Sequence, residues 1–496
     1  MKVLIRADAS VAIGSGHVAR CLTLAKVLRL AGAQPVFACR ALPGHALAVI
    51  AGQGFETVAL PAGYKDEMTG DIEAALPWRA DLDALQAALP GQRFDWLLVD
   101  HYGLGAAWQT GARSLADRIA VVDDLANRPH DADLLLNQNL NAEASAYAGQ
   151  LPSTCRLLLG PRHALLRPEF NVGPVEIAPR AKRLLVSFGG ADAQGETFKV
   201  MTALADLDEL EVDFVAGAAN PAWPALTQAL VGREHWRLHR HVDDFAGLMA
   251  RADLFIGAGG GTSWERAALG LPSICIAIAA NQVGNAERLA LAGAHLYLGQ
   301  ADAVTAEMLR AAVSLLAGNV GLRHSLAARS RALVDGKGAA RVAAALLTGA
   351  LRLRPATSAD AQLLFDGRNA AEVRRWSLND AAIDWDGHLA WLQRSLANAE
   401  RALLVAEAPD GPVGVLRYDR IEPQRAEVSI YLLAGREGRG WGQALLAAGD
   451  RWIAEYWPGL QAIAAVVKPA NVASLKLFQA LGYRQQDCHF ERTPPF

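Results

Sequence analysis

The chain has 496 residues, 52% of them apolar and 20% charged, with a net charge of −3. At about 150 residues per domain that length predicts about three domains, and the near balance of charge speaks against nucleic acid or an anionic membrane as a partner. Cys21, Cys39, Cys155, Cys275 and Cys488 are scattered, with no C-x-x-C pair, so neither a disulfide framework nor a zinc site is expected and a reducing cytoplasm fits.

The chain opens directly on the apolar run Met1–Ile5, without an export-signal pattern. The later apolar run Leu271–Ala280 is about half the length of a bilayer-spanning helix, so no membrane insertion is expected. Met1–Ile5 reads as a buried parallel strand. Ser10–Arg20 (SVAIGSGHVAR) then joins a glycine turn to a helix of helical apolar spacing. Strand, glycine turn and helix in that order aim backbone N–H groups and a positive dipole end at whatever sits above the sheet. Gly14 and Gly16 let the backbone approach an anion, and His17 places beside it the side chain that titrates near neutrality. The same features occur without catalysis in any doubly wound domain, where such a histidine caps the helix or faces solvent.

Strands follow at 35–39, 54–60 and 94–103, the last ending in Asp100, His101 and Tyr102, where an open parallel sheet meets its ligand crevice. Further strands end at Asp123-Asp124 and cover 133–136. Asp131-Ala132-Asp133 has the form of a metal motif of sugar transferases, but D-x-D recurs at Asp81/Asp83 and Asp206/Asp208, and no metal site is expected. From Ala181 the pattern restarts, with Gly189 and Gly190 in a second glycine turn. Strands at 211–217 and 236–242 precede a glycine-rich turn, Gly257–Gly261, which includes Gly260 and Gly261. There Thr262 or Ser263 can cap a helix whose first turn holds Glu265. Glu265 either complements the helix dipole or accepts two ribose hydroxyls, with nearby N–H groups taking phosphate. A helix at 338–351 closes the unit.

From residue 351 the pattern is mixed. Helices are predicted at 359–364 and 385–398, and strands over ALLVAEA, GVLRYD and AEVSIYLL. The loop GREGRGWG (435–442) then opens a helix, and strand 462–468, the helix of NVASLKLFQALG and one final strand follow. The fold class is α/β, with expected domains at 1–155, 156–348 and 351–496.

RADASVAIGSGHVARCLTLA, VDHYG, VDDL, GPRHALLRPEF, SFGGAD, GGGTSWERAALGLPS and Ala280-Asn281-Gln282 together resemble the UDP-2,4-diacetamido-2,4,6-trideoxy-β-L-altropyranose hydrolase family of pseudaminic acid biosynthesis. The resemblance runs through nearly all of residues 1–345. It implies two Rossmann-like domains in a glycosyltransferase-B-like arrangement, with UDP held mainly by the second. His17 then matches the catalytic base, Asn281 a substrate contact and Glu265 the ribose-binding acid. His101 is the alternative base. Hydrolysis at the anomeric carbon expels UDP, so a held diphosphate and one base to activate water suffice, the anomeric centre inverts, and metal is not required.

Residues 351–496 resemble the GNAT acetyltransferases through GREGRGWGQALL and NVASLKLFQALGY. That implies an acetyl-CoA site at Gly438, Arg439, Gly440, Gly442, Asn471 and Ser474, the loop amides cradling pyrophosphate. Glu437 stands where the family's loop carries Arg or Gln, with Arg436 one place early, and Phe478 replaces a frequent tyrosine acid. Residues 353–392 are similar to the 4-amino acetyltransferase of the same pathway, which makes a UDP-amino sugar the expected substrate. Glu427, on the strand before the loop, is the candidate base; otherwise it is an ordinary exposed glutamate. Two other readings are a glycosyltransferase using a UDP-amino sugar, and a UDP-sugar-binding scaffold in which only the acetyltransferase works. An acetyltransferase for an unrelated amine is a third.

Overall fold

In strand 1 the residues Val3 to Ala7 are all buried, as a parallel strand covered on both faces requires. The computed structural model describes residues 1–62, 77–170, 173–189, 192, 194–217, 220–408, 411–437, 440–486 and 489–492. Strands β1 (Lys2–Ala7), β2 (Gln34–Arg40), β3 (Glu56–Leu60), β4 (Phe94–Asp100), β5 (Ala116–Val122), β6 (Leu134–Asn137) and β7 (Arg156–Leu159) form a parallel sheet in the order β3-β2-β1-β4-β5-β6-β7. Alternate residues serve opposite faces. Val3, Ile5 and Ala7 pack with helix α1 (Gly16–Leu30), whereas Leu4 packs with α3 (Trp78–Ala88) and α4 (Ala106–Ala112); α2 (Leu47–Gly52) precedes β3. Because β7 completes this sheet, the first unit extends past the expected division at residue 155.

The second sheet, also parallel, has the order β10-β9-β8-β11-β12-β13. Its strands are β8 (Arg183–Ser187), β9 (Glu211–Val215), β10 (Trp236–His239), β11 (Leu254–Ala258), β12 (Ser273–Ala277) and β13 (Leu296–Gln300). Helices α5 (Glu196–Leu204), α6 (Trp223–Ala229), α7 (Phe245–Arg251), α8 (Thr262–Leu269) and α9 (Ala280–Leu291) alternate with them, and α10 (Ala306–Gly318) and α11 (Val320–Leu333) follow. At Gly257 a Cβ would stand 2.1 Å from the Ser187 carbonyl oxygen of the adjacent strand, so only glycine fits this approach.

Helix α12 (Gly338–Ala350) returns to the first unit instead of closing the second. It packs on α1, and the Trp96 indole N–H donates to its Leu346 carbonyl at 3.1 Å. The third sheet follows with β14 (Arg352–Pro355), β15 (Arg401–Ala408), β16 (Gly411–Glu422), β17 (Arg425–Leu432), β18 (Ala462–Val466), β19 (Arg484–Gln486) and β20 (His489–Arg492), in the order β14-β15-β16-β17-β18-β20-β19. Its helices are α13 (Ala361–Asn369), α14 (Ala371–Trp376), α15 (Trp385–Leu396), α16 (Trp441–Tyr456) and α17 (Val472–Ala480). The helix expected from 359 begins as a 3-10 turn, Ser358–Asp360, closed by a capping box of Thr357 and Asp360, and continues as α13 from Ala361. The single final strand is instead the pair β19 and β20.

The apolar core of the first sheet is continuous with that of the third. Leu28 of α1, Leu346 of α12 and Leu445 of α16 belong to one buried cluster. Leu346→Ala is therefore expected to cost about 2–5 kcal/mol and to lower the melting temperature of both units, read by calorimetry on the full chain. A melt in which only one unit shifts would disprove the shared core.

Candidate active site

In the first sheet the strand order reverses between β1 and β4, and open parallel sheets bind ligands outside the carboxyl ends of such strands. The Ser10–Gly14 turn lies after β1, closed by the Gly14 amide on the Ser10 carbonyl at 2.9 Å and by the Ile13 amide on the Ser10 hydroxyl at 2.9 Å. Gly14 adopts φ +81°. Its amide is thus committed to the turn. Gly16 begins α1, and His17 follows in its first turn.

The His17 Nδ1 atom lies 2.6 Å from the Asp100 carboxylate at the end of β4. Arg20, one turn further along α1, donates from Nε and a terminal nitrogen to both Asp100 oxygens at 2.6 Å, and reaches Asp124 at 3.1 Å. Burial alone would push the Asp100 carboxyl up, but Arg20 and His17 hold it well below the usual carboxylate range. A 2.6 Å contact with an ionised carboxylate puts the proton on Nδ1 and leaves Nε2 as the basic nitrogen. Tyr102 packs edge-on against the imidazole at 4.8 Å between centroids. Burial, then Asp124, pushes its phenol up.

A second buried charge cluster lies beneath. Arg6 pairs with Asp8 at 2.7 Å and with Asp81 at 2.6 Å, and Asp81 also accepts from Arg40 and from the Trp108 indole. His101, the alternative base, is buried within it. Its Nδ1 accepts from the Gly103 amide at 3.0 Å, which directs the Nε2 proton toward Asp8 at 3.4 Å. That geometry makes His101 a structural residue. Asp131 and Asp133 both pair with Arg113. Among the described residues no cluster of three or more His, Cys, Asp or Glu is placed to hold a metal ion, and no helix is long and apolar enough to cross a membrane.

The second sheet reverses between β8 and β11, which brings Gly189 together with Gly260, Gly261 and Glu265. Gly190 lies outside the described residues. Gly261, not Thr262 or Ser263, is the N-cap of α8, with no side-chain cap. Ser263 is the second residue of the helix, buried, where its hydroxyl accepts from Arg266 at 3.0 Å and its amide donates to the Gly260 carbonyl. Glu265 is held by Arg167 at 3.2 Å. Burial pushes the Glu265 carboxyl up, opposed by Arg167. Asn281 is exposed in the first turn of α9. The same helix meets the first unit, where its Asn285 accepts from the Leu140 amide at 3.4 Å. The sequence reading missed Arg20, Asp124 and Arg167; the i, i+3 spacing of His17 and Arg20 on one helix face was the available signal for the first.

In the third sheet β17 and β18 pair in parallel only over Arg425–Glu427 and Ala462–Ala464. Beyond Glu427 they part, and a cavity of ≈ 1410 Å³ fills the opening. Glu427 lines it, half-buried, at the last paired position. Gly440, with φ +79°, is the N-cap of α16 and lines the cavity with Gly442, Asn471 and Ser474. Asn471 caps α17 by accepting from the Ser474 amide at 3.1 Å. Gly438 and Arg439 lie outside the described residues. Phe478 is buried against Tyr483. On the other side of the opening stand Arg368, Trp376, Trp391, Arg417 and Tyr431.

Residues 225–339 match the description of the glycosyltransferase family 28 C-terminal domain, and residues 350–484 that of the acetyltransferase (GNAT) domain. The chain is 32% identical over 192 residues to the spore coat polysaccharide biosynthesis protein SpsG of Bacillus subtilis, covering 38% of this chain and 57% of that protein. It is 27% identical over 262 residues to the UDP-2,4-diacetamido-2,4,6-trideoxy-β-L-altropyranose hydrolase of Campylobacter jejuni, covering 52% of this chain and 84% of that one. It thus spans little more than half the length of the first of these curated relatives. The crystal structure of the kitacinnamycin glycosyltransferase superposes with a TM-score of 0.52 at 20% identity, over 70% of this chain and 98% of that one. The fold is therefore two Rossmann-like domains resembling glycosyltransferase-B enzymes, followed by a GNAT domain.

The depressed pKa values of Asp8, Asp81 and Asp100 carry a sign. Each carboxylate contributes stability above its unfolded pKa of about 3.9, and that stability is lost as pH falls further. The melting temperature is expected to drop steeply below about pH 4, and Asp100→Asn to show a shallower acid limb. Equal acid limbs in the two proteins would contradict the assignment.

Proposed function

We propose that this chain processes a UDP-linked amino sugar in two steps, N-acetylation by the GNAT domain and then hydrolysis to UDP and free sugar by the two Rossmann-like domains. The reading of the hydrolytic step rests on the 2.6 Å contact between His17 and Asp100 at the β1–β4 switch point. With Asp100 fixing the tautomer, His17 Nε2 accepts a proton from water as the water oxygen bonds to the anomeric carbon and the carbon–oxygen bond to UDP breaks. A single displacement of this kind inverts the anomeric centre. The glycine turns at Gly189 and Gly260–Gly261 supply amides for the diphosphate. In this reading Glu265 accepts from ribose hydroxyls and exposed Asn281 contacts the sugar.

For the acetyl step, the strand splay admits the pantetheine arm of acetyl-CoA, and the N-terminus of α16 at Gly440 receives its pyrophosphate. Glu427 removes a proton from the sugar ammonium, directly or through one water. The amine nitrogen then bonds to the thioester carbonyl carbon, and the carbon–sulfur bond breaks. Phe478 offers no proton, so the departing thiolate is protonated by solvent. Arg368 and Arg417, both near Tyr431, suit an anionic nucleotide-linked acceptor better than a protein N-terminus. A cytoplasmic location belongs to the same reading, and so does a place in pseudaminic acid-type sugar synthesis, the latter supported by the hydrolase-named relative.

The purified chain, supplied with a UDP-linked 4-amino trideoxy sugar and followed by NMR, is expected to release free diacetamido sugar only when acetyl-CoA is present. His17→Ala should lower UDP release about 10²–10⁴-fold with UDP binding retained. Glu427→Gln should slow acetylation while leaving hydrolysis of the preacetylated sugar intact. The match to a glycosyltransferase domain favours one rival, transfer to a sugar acceptor; UDP release that depends on an added acceptor would establish it.

A further inference from the structure

The cavity of the GNAT domain is not built by that domain alone. Val27, Leu30 and Ala31 from the last turn of α1, and Ala343, Ala344 and Leu347 from α12, form part of its wall. Leu30 is 72% exposed, although it lines a concave, largely apolar surface. Together with Val27 and Ala344 it forms an apolar patch inside the cavity, the kind of surface that a ligand-binding groove exposes.

The faces of the third sheet show which part of a ligand that is. Leu404, Leu416 and Val428 pack toward α16 and α12, whereas Leu403, Val405 and Val415 pack toward α13 and α15. The α1–α12 wall therefore lies on the α16 side, and the arginines and tryptophans of α13–α15 lie on the other. Leu347 stands 3.6 Å from where a Cβ of Gly440 would be, directly beside the α16 N-terminus.

Resting on the acetyl-CoA reading above, we infer that the N-terminal unit supplies part of the cofactor site: the adenosine end of acetyl-CoA lies against the α1–α12 wall. With pyrophosphate at the α16 N-terminus and pantetheine in the strand opening, the nucleoside continues outward on the α16 side. A flat purine covers the accessible apolar side chains of this wall, Ala344 and Leu30. The acetyltransferase site is then completed by a helix whose other end carries His17.

The experiment compares two acetyl donors, acetyl-CoA and S-acetylpantetheine, which lacks the nucleotide. Leu30→Glu, at an exposed position, is expected to raise the KM for acetyl-CoA about tenfold while leaving that for S-acetylpantetheine unchanged. Ala344→Glu should do the same. UDP release from preacetylated sugar should be unaltered in Leu30→Glu, which shows that the chain remains folded. An unchanged KM for acetyl-CoA in both variants, or an equal rise for both donors, would overturn this inference alone. A rise only in the KM for the sugar would assign the wall to the acceptor and overturn it too. A wild-type chain that neither binds nor uses acetyl-CoA would overturn the acetyltransferase reading, and this inference with it.

Discussion

A carboxylate with no exposed surface stays ionised only when its surroundings replace the water it has lost, and Asp100 is such a group. One guanidinium covers both oxygens and one imidazole shares an oxygen with it. Removing one partner of a buried pair of this kind typically costs about 3–5 kcal/mol, so the arrangement is retained as a whole or lost as a whole. The orientation of His17, the anchoring of α1 by Arg20 and the closeness of β1 to β4 all follow from it. Arg6, Asp8, Asp81 and Arg40 repeat the principle a layer below, where they fix the carboxyl ends of β1 and β2 against α3.

The two parallel sheets place their chemistry alike. In each, the loops that matter follow the strands on either side of the order reversal: Ser10–His17 and Asp100 in the first, Gly189 and Gly257–Glu265 in the second. The contact of α9 with Leu140 brings the two edges together. The first unit carries the buried imidazole of His17, and the second carries the glycine turns and the Glu265 carboxyl.

Much of this was legible in the sequence. The strand, glycine turn and helix around His17 were readable because they are contiguous, and Asp100 was readable as a strand-end residue. Their pairing was not, because it joins residues 83 positions apart and no local pattern encodes that distance. Ser263 was misread for the opposite reason. Its position in the sequence looks like a cap, but the chain tightens at Gly261 and turns the hydroxyl inward to Arg266. The role of α12 had a signal that went unused. GAARVAAALLTGA is apolar around most of its circumference, and a helix of that kind is covered on more than one side. Here the two sides are α1 and α16.

Since α12 is wedged between those two partners, the boundary at residue 351 is a boundary of sequence and not of material. A recombination event that exchanged the last 145 or so residues for another acyltransferase would have to preserve the surface offered by Leu346, Leu347 and Thr348, or supply a compatible one. The fusion is thus hard to undo by cutting the gene at its obvious seam. Its two halves are bound to drift together, each constraining which substitutions the other tolerates.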